Sequence, residues 1–261
     1  MAAGKIVRFE TQGPAGAGLV VWPEIPAESL TAGKPVQRGH YYLEDKKHGL
    51  SAGVWDCTAV TTVMEPYAVN EFMIVLEGAV TIIDQEGGET TIKAGESFII
   101  PKGLPCVWKQ TGYMRKFFVI FDDASGLAAK DPAALRVLRL DPGPALRPCD
   151  GPPAEMLLSA PPAQRAHEYF ADLTGQWTVG AWDSTAFHRK TIDFPRHELM
   201  HILEGEIILT EEGQPPQTFR AGDTFFVPLG TRCGGQVTGY VRKIYCILQP
   251  KAAAAKKAAA E

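Results

Sequence analysis

The stretch HELMHILEGEI, from His197 to Ile207, decides how the chain is interpreted. Its first five residues match H-E-x-x-H, the zinc-protease signature, in which two histidines one helical turn apart bind one ion. On a β-strand the same spacing separates the two side chains by roughly 13 Å, too far for one ion with bonds of about 2.1 Å. The residues that follow are β-branched and apolar, and Glu204-Gly205 interrupts them. This pattern predicts a strand, a tight turn and a second strand, not a metalloprotease helix.

An internal duplication supports the strand prediction. GVWDCTA at Gly53 aligns with GAWDSTA at Gly180, an offset of 127 residues. At that offset NEFMIVLEG at Asn70 falls on HELMHILEG at His197. The alignment needs no gap from Pro26 to Phe121, and roughly a third of its positions are identical. The chain therefore contains two copies of one structural unit.

The histidine pair of the opening stretch is not part of the repeated unit. The first copy has Asn70 and Ile74 where the second copy has His197 and His201. A zinc-protease helix would have to replace a strand in only one of two equivalent units. The comparison therefore argues against a peptidase.

Each copy is a string of short apolar runs separated by glycine and proline, as in all-β domains. We predict an N-terminal barrel in residues 1–127 and a C-terminal barrel in residues 128–250, packed with pseudo-twofold symmetry. The Ala/Lys-rich residues 251–261 have no apolar face, and we expect a disordered tail. Upstream of the gapless alignment, IVRFE at Ile6 resembles VLRLD at Val137 with a small shift.

Composition excludes several classes of function. The chain has 261 residues, of which 45% are hydrophobic and 21% charged, and its net charge is −4, so we expect no nucleic-acid partner. No apolar run approaches the ~20 residues that span a bilayer, so we expect no membrane association. The N-terminus lacks the apolar core of a signal peptide, and the five cysteines include no C-x-x-C. We therefore expect a cytoplasmic protein with unpaired thiols.

Two spaced motifs occur in both copies. The first is E-x6-G and the second is G-x5-P-x-G, in which glycine tolerates a positive φ at a turn and proline marks a strand end. The residues are Glu71, Gly78, Gly95, Pro101 and Gly103 in the first copy and Glu198, Gly205, Gly222, Pro228 and Gly230 in the second. This pair of motifs resembles the cupin superfamily, whose members are small jelly-roll β-barrels. The resemblance covers nearly the whole chain and implies a bicupin, with two tandem barrels and an all-β fold.

A closer resemblance is to the ureidoglycine aminohydrolase-type cupin domain. That domain typically shows G-x-W-D-x-T, E-F-x-x-V-L-E-G, A-G-x-x-F-x-x-P-x-G and R-K-x-x-x-I. In this chain the corresponding segments are Gly53 to Asp56, Glu71 to Gly78, Ala94 to Gly103, and Arg115-Lys116. The resemblance implies an interior that holds one small ligand, in keeping with the size of a small barrel.

The residues expected of a metal-binding cupin are largely missing. The resemblance implies H-x-H before the motif glutamate, at Met64–Pro66 or Glu65–Tyr67 and at Thr191–Asp193 or Ile192–Phe194, but none of these residues is histidine. The later histidine is also replaced by cysteine. A glutamate and a cysteine are two ligands where a catalytic site usually has three, so we expect no metal cofactor. A divalent metal stays open at Glu71, Cys106, Glu198 and Cys233, and the second copy could also recruit His188, Asp193, His197 or His201.

An acid–base pair is the second kind of site. Arg115 and Lys116 are adjacent on a strand, so one of the two points into the barrel. We predict that Lys116 meets Glu71, and that Lys243 meets Glu198, as catalytic acid and base. The alternative is that each pair is a structural salt bridge.

Aromatic residues could complete a ligand pocket. We assign ligand-binding roles to Trp55, Trp108, Trp182 and Tyr67, although packing is the alternative for the tryptophans. The second copy has Gly235 where the first has Trp108, so the two pockets must differ there.

A strand motif with alternating polar residues also repeats. QRGHYY at Gln37 corresponds to QRAHEY at Gln164, and alternation places Arg38, His40 and Tyr42 on one face. We predict that this face packs between the two copies rather than lining a pocket.

Three functions are compatible with these residues. The first is a bicupin that binds or transforms a small polar metabolite without a strong metal site. The second is a metal-dependent cupin enzyme, such as a ureidoglycine aminohydrolase-like hydrolase or a dioxygenase. The third is a non-catalytic, dimeric binding or regulatory cupin. The expected partner is a small-molecule ligand, and a homo-oligomer stays open.

Overall fold

A computed structural model describes residues 4–251, so the predicted tail after Lys251 lies outside the described residues. The strands are β1 (Val7–Arg8), β2 (Val20–Val21), β3 (Leu30–Ala32), β4 (Gln37–Asp45), β5 (Leu50–Cys57), β6 (Val60–Thr62), β7 (Glu65–Pro66), β8 (Asn70–Glu77), β9 (Ala79–Asp84), β10 (Glu89–Lys93), β11 (Ser97–Ile100), β12 (Pro105–Gln110), β13 (Met114–Phe121), β14 (Leu138–Arg139), β15 (Arg147–Pro148), β16 (Gln164–Ala171), β17 (Trp177–Asp193), β18 (His197–Glu211), β19 (Gln217–Arg220), β20 (Thr224–Val227) and β21 (Arg232–Leu248). Four short 3-10 turns occur at Pro14–Gly16, Ala27–Ser29, Pro132–Ala134 and Ala154–Met156.

The predicted all-β fold with two tandem jelly-roll barrels is confirmed. The N-terminal barrel is built from a seven-stranded sheet in the order β14-β11-β8-β13-β5-β4-β2 and a six-stranded sheet in the order β10-β9-β12-β6-β3, with β7 beside β12. The C-terminal barrel is one eight-stranded sheet in the order β1-β20-β18-β21-β17-β16-β15, with β19 beside β18. Its long strands β17, β18 and β21 continue from one wall of the barrel to the other, which joins both walls into a single sheet.

The opening stretch lies on a strand. Residues Glu198 to His201 pair antiparallel with β20, as the sequence predicts. The tight turn predicted at Glu204-Gly205 is wrong, because β18 runs through these residues with shifts of register. Gly205 makes this bend with φ of 72°, and a Cβ there would lie 1.9 Å from the carbonyl oxygen of Tyr240. Glycine therefore bends one strand between two walls instead of closing a hairpin.

The apolar side chains form three clusters. One fills the N-terminal barrel around Met73, Phe98 and Phe118, and a second fills the C-terminal barrel around Phe219 and Phe225. The third contains residues from both halves and lies between the barrels. Its members include Leu50, Phe72, Phe117, Val119, Trp177, Leu199, Phe226 and Leu248. The two barrels therefore share one apolar interface in addition to their separate interiors.

Each half contributes a strand to the sheet of the other half. Strand β1 pairs with β20, with Val7 opposite Phe226. Strand β14 pairs with β11, with Arg139 opposite Phe98. These strands lie in the two upstream segments whose sequences resemble each other, so the resemblance reflects a shared structural role. Each sheet thus takes one strand from across the predicted boundary between residues 127 and 128.

Tyr42 holds the exchanged N-terminal segment in place. Its hydroxyl accepts the backbone N–H of Glu10 at 2.9 Å and donates to the carbonyl of Glu10 at 3.0 Å. Its ring stacks on Phe9 with the centroids 4.4 Å apart. In the second copy Tyr169 donates to the carbonyl of Asp141. The tyrosine of each QRxHxY motif therefore contacts an exchanged segment, whereas Arg38 and Arg165 pair with Asp56 and Asp183 of their own barrels.

All five cysteines lie within the described residues, and each is a free thiol. No helix in residues 4–251 is both long enough and apolar enough to cross a membrane.

Candidate functional site

A buried Glu–Lys pair lies inside each barrel. The Nζ atom of Lys116 is 2.8 Å from Oε1 of Glu71, and Nζ of Lys243 is 2.6 Å from Oε1 of Glu198. The pairing of β13 with β8 shifts register between Arg115 and Lys116, and the side chains of these two residues point in different directions. Arg115 instead lies 3.4 Å from Asp56. The structure thus brings together both predicted pairs, while their catalytic role stays a prediction.

Aromatic residues enclose the pair in the N-terminal barrel. Nζ of Lys116 lies 4.9 Å from the ring centroid of Trp55 and 4.7 Å from that of Trp108. The hydroxyl of Tyr67 donates to Oε2 of Glu71. Both oxygens of the carboxylate are therefore engaged, and the two indoles stabilise the ammonium by cation–π contacts. Three of the four predicted ligand-binding residues thus pack around an ion pair.

The C-terminal barrel contains a cavity of about 460 Å³, which opens to solvent. Trp182, the fourth predicted ligand-binding residue, borders it, and Nζ of Lys243 lies 4.8 Å from the centroid of its ring. The space exists because two tryptophans of the first copy are replaced. Gly235 and Cys149 border the cavity at the positions that correspond to Trp108 and Trp22. The volume is typical of a pocket for a small metabolite.

The cavity is rich in positive charge. Arg189, Arg196, Lys243 and Glu198 all border it, as does the exposed Asp150, so three cations meet two carboxylates. Nε of Arg196 is 2.9 Å from Oε2 of Glu198, which leaves Glu198 shared between two cations. Arg189 forms no ion pair with any of residues 4–251, and its best polar contact is the carbonyl of Cys233 at 3.4 Å. Its charge is therefore available to a ligand.

Electrostatics keep Glu198 ionised. Burial alone would raise the pKa of this carboxyl, but Arg196 and Lys243 outweigh burial and lower the pKa to about 2. Desolvation also lowers the pKa of the Arg189 guanidinium, which remains a cation because its ordinary pKa is so high. The cavity thus has a fixed positive excess near neutral pH.

The residues inside the barrels do not fit the metal site that the resemblance implies. Both oxygens of Glu71 and of Glu198 are engaged by neighbouring side chains. Burial raises the pKa of Cys106 to about 11 and also raises that of Cys233, so neither thiol is readily available as a thiolate. In each barrel the candidate glutamate therefore belongs to an ion pair, and the candidate cysteine is a buried, packed thiol.

Sequence reasoning missed the two arginines. Arg189 and Arg196 correspond to Thr62 and Val69 in the first copy, as Gly235 corresponds to Trp108. A search for differences between the copies, instead of identities, would have grouped the three positions. Identity between copies marked the shared ion pair, whereas the differences mark the cavity.

Comparisons with known proteins agree with this architecture. The sequence matches the EutQ-like cupin domain over residues 44–118 and again over residues 172–245. A protein of unknown function from Pseudomonas syringae pv. tomato is 27% identical, with a TM-score of 0.76 over 93% of this chain and 98% of that chain. No curated protein matches the sequence.

More distant structures share the fold alone. The Ylba protein from E. coli is 10% identical, with a TM-score of 0.54 over 97% of both chains. A cupin 2 conserved barrel domain protein from Leptotrichia buccalis is 11% identical, with a TM-score of 0.52 over 84% of this chain and 99% of that chain. Because the domain match occurs twice and covers more than half of the sequence, the chain belongs to the EutQ-like cupin domain family and is a bicupin.

Proposed function

We propose that the C-terminal barrel binds a small organic anion that carries a carboxylate group. The observation that carries this proposal is Arg189, a partly buried guanidinium at the cavity wall without an ion pair among residues 4–251. A guanidinium presents two parallel N–H donors that match the two oxygens of a carboxylate. Arg196 and Lys243 add to the attraction, because Glu198 and Asp150 neutralise only two of the three charges.

The rest of the cavity wall is apolar. Phe187, Met200 and Leu209 border the cavity, together with the indole of Trp182. Such a wall favours a ligand with a hydrocarbon or planar portion next to its acidic group. Inorganic anions would leave this wall in contact with water, so an organic acid is the better match.

Lys243 is the residue best placed to act on a bound ligand. Its ammonium borders the cavity and is held by Glu198 at 2.6 Å, which keeps a proton donor beside the carboxylate site. Lys243 could donate a proton to a ligand oxygen as a general acid, while Glu198 holds the lysine side chain in position. A ureidoglycine aminohydrolase-type reaction finds no such support, because the histidine positions that it requires hold other residues.

Calorimetric titration of the full chain with small mono- and dicarboxylates tests the proposal. We expect binding of carboxylates but not of the matching neutral amides, with one site per chain. Arg189→Thr, which installs the residue of the first copy, should weaken binding at least 10-fold, in line with the loss of a charge-assisted contact of about 1.5–3 kcal/mol. Unchanged affinity in Arg189→Thr would contradict the proposal.

Two further variants localise the ligand. Gly235→Trp restores the tryptophan of the first copy and should abolish binding, because the indole would occupy the cavity. A Cβ at Gly235 would meet its nearest atom, on Leu209, at 3.4 Å, so the backbone there has room for a side chain to start. Thr62→Arg in the N-terminal barrel is the matched control and should leave the affinity unchanged. Exposed Cys149 also borders the cavity, so a bound carboxylate should slow its alkylation.

A further inference from the structure

Three potential metal ligands meet where the two barrels join. Asp45 is the last residue of β4, His48 lies in the turn that follows, and His197 is the first residue of β18. Oδ2 of Asp45 is 2.7 Å from Nδ1 of His48 and 3.2 Å from Nε2 of His197. One ligand atom from each residue lies within 4.8 Å of the others. The cluster is outside both barrel interiors and separate from the cavity described above.

The ring of His197 indicates that hydrogen bonding alone does not account for this cluster. The residue is 4% exposed, and its Nε2 atom is buried without a hydrogen bond to any of residues 4–251. Nε2 lies 3.2 Å from Oδ2 of Asp45, but this contact does not have the geometry of a hydrogen bond. A buried ring nitrogen without a partner costs about 1–3 kcal/mol. Ligands that converge on an ion, rather than on one another, show this combination of short distance and poor hydrogen-bond angle.

The donor set suits a divalent transition metal. Two imidazoles and one carboxylate match the ligands of Zn²⁺, whose bonds of about 2.0–2.1 Å place tetrahedral ligands about 3.3 Å apart. The Asp45 and His48 side chains are 23% and 21% exposed, so an ion can enter from solvent and keep a water ligand. The observed spacings of 2.7 Å and 3.2 Å need only small side-chain movements to reach that geometry.

The duplication supplies an internal comparison. At the offset of 127 residues the cluster corresponds to Asp172, Gly175 and Asn70. Asp172 accepts backbone N–H groups of Gln176 and Trp177, and the side chain of Asn70 accepts the N–H of Lys102. The related junction therefore has no imidazole and uses its polar side chains to hold loops. Only one of the two junctions carries the donor set.

We propose that Asp45, His48 and His197 bind one divalent transition-metal ion, Zn²⁺ or an ion of similar ligand preference, which links the two barrels. Binding through Nε2 moves the ring proton of His197 to Nδ1. That change gives up the 3.3 Å contact from the backbone N–H of Leu229, a long and weak hydrogen bond. Coordination also replaces the hydrogen bond between His48 and Asp45. The ion thus gives the buried Nε2 atom of His197 a partner.

The test is a titration of chelator-treated, full-length protein with Zn²⁺ by calorimetry and with Co²⁺ by visible absorption. We expect one ion per chain and a Co²⁺ spectrum typical of a four-coordinate site. His48→Gly and His197→Asn install the residues of the other junction. Each should weaken binding by at least about 100-fold, because loss of a direct ligand exceeds the 10- to 100-fold effect of an outer-shell residue.

Two controls separate this site from the alternatives. His201→Asn changes the other histidine of the H-E-x-x-H segment, which bonds to Thr224 at 2.8 Å, and should leave Zn²⁺ affinity unchanged. Cys233→Ser should also leave it unchanged, since that thiol is inside the barrel. Absence of Zn²⁺ binding, or binding that survives His48→Gly but not Cys233→Ser, would overturn the proposal. His48 lies in a partly exposed turn, so its variant keeps the test decisive if His197→Asn fails to fold.

Discussion

The two Glu–Lys pairs differ at the scale of single residues. Glu71 is shared between Lys116 and the neutral hydroxyl of Tyr67. Glu198 is shared between Lys243 and a second cation, Arg196. Removal of one partner from a buried ion pair is costly chiefly because it strands the other charge. The two copies should therefore respond differently to the same substitution.

We expect Lys116→Met to destabilise the protein by about 3–5 kcal/mol, since Glu71 would remain buried with no cation. Lys243→Met should cost less, because Arg196 still neutralises Glu198. Urea denaturation of the two matched variants measures the difference. Equal losses of unfolding free energy would show that Arg196 does not compensate.

The second residue-scale prediction concerns acid. The pKa of Glu198 falls from an ordinary value of 4.5 to about 2 in the folded protein. A carboxyl with a lowered folded pKa stabilises the protein above its unfolded pKa, and this contribution disappears as the pH falls toward the folded pKa. We expect the stability difference between wild type and Glu198→Gln to be constant above about pH 5 and to shrink between pH 4.5 and 2. Melting temperatures over this range provide the measurement.

At the scale of elements, the exchanged strands β1 and β14 are short and depend on contacts beyond their own pairing. Strand β1 has two residues, and Phe9 adds one more hydrogen bond to the carbonyl of Thr224 at 2.8 Å. The hydroxyl of Tyr42 then fixes both backbone groups of Glu10. A side chain of the N-terminal barrel thereby stabilises a strand that completes the C-terminal barrel.

Tyr42→Phe should destabilise the protein by about 1–3 kcal/mol, because both polar groups of Glu10 lose their partner. Hydrogen exchange should accelerate at the amides of β1 and β20 before it changes in the remaining strands. Tyr41→Phe is the control, since the hydroxyl of Tyr41 forms no hydrogen bond within residues 4–251. A Tyr42→Phe variant with unchanged exchange would contradict this role.

The elements also show what sequence could and could not predict. Alternation and the repeat predicted the strand at His197, because strand formation depends on local geometry. Alternation also required one of Arg115 and Lys116 to point inward, and the structure shows that it is Lys116. The bend at Gly205 was wrongly predicted as a turn, since the choice depends on whether the flanking residues pair with each other or with different strands. The cluster at Asp45, His48 and His197 joins residues from both copies, so no local pattern could reveal it.

At the scale of the whole molecule, the two barrels have a common core and different interiors. The cluster between them takes Leu50 and Phe72 from one copy and Leu199 and Leu248 from the other. The N-terminal interior is packed with tryptophan, whereas the C-terminal interior is open and positively charged. The proposed ligand site is therefore confined to the second barrel, and the first barrel packs against it.

We expect the two barrels to unfold as one cooperative unit, because the shared core and the exchanged strands couple them. Scanning calorimetry should show one transition with equal calorimetric and van't Hoff enthalpies. Lys116→Met, placed in the first barrel, should shift this transition as a whole. Two resolved transitions, with only one shifted by the variant, would contradict the coupling.

The exchange of strands also determines the order of events during synthesis. Val7 is synthesised 219 residues (226 − 7) before its partner Phe226. Strand β14 faces no such delay, because its partner Phe98 is already available. The first barrel can thus complete its sheet as soon as β14 is synthesised. The second barrel completes its sheet only when β1, which is synthesised long before, pairs with β20. Pairing over so long a separation is slow, which makes closure by β1 a candidate for the last step of folding.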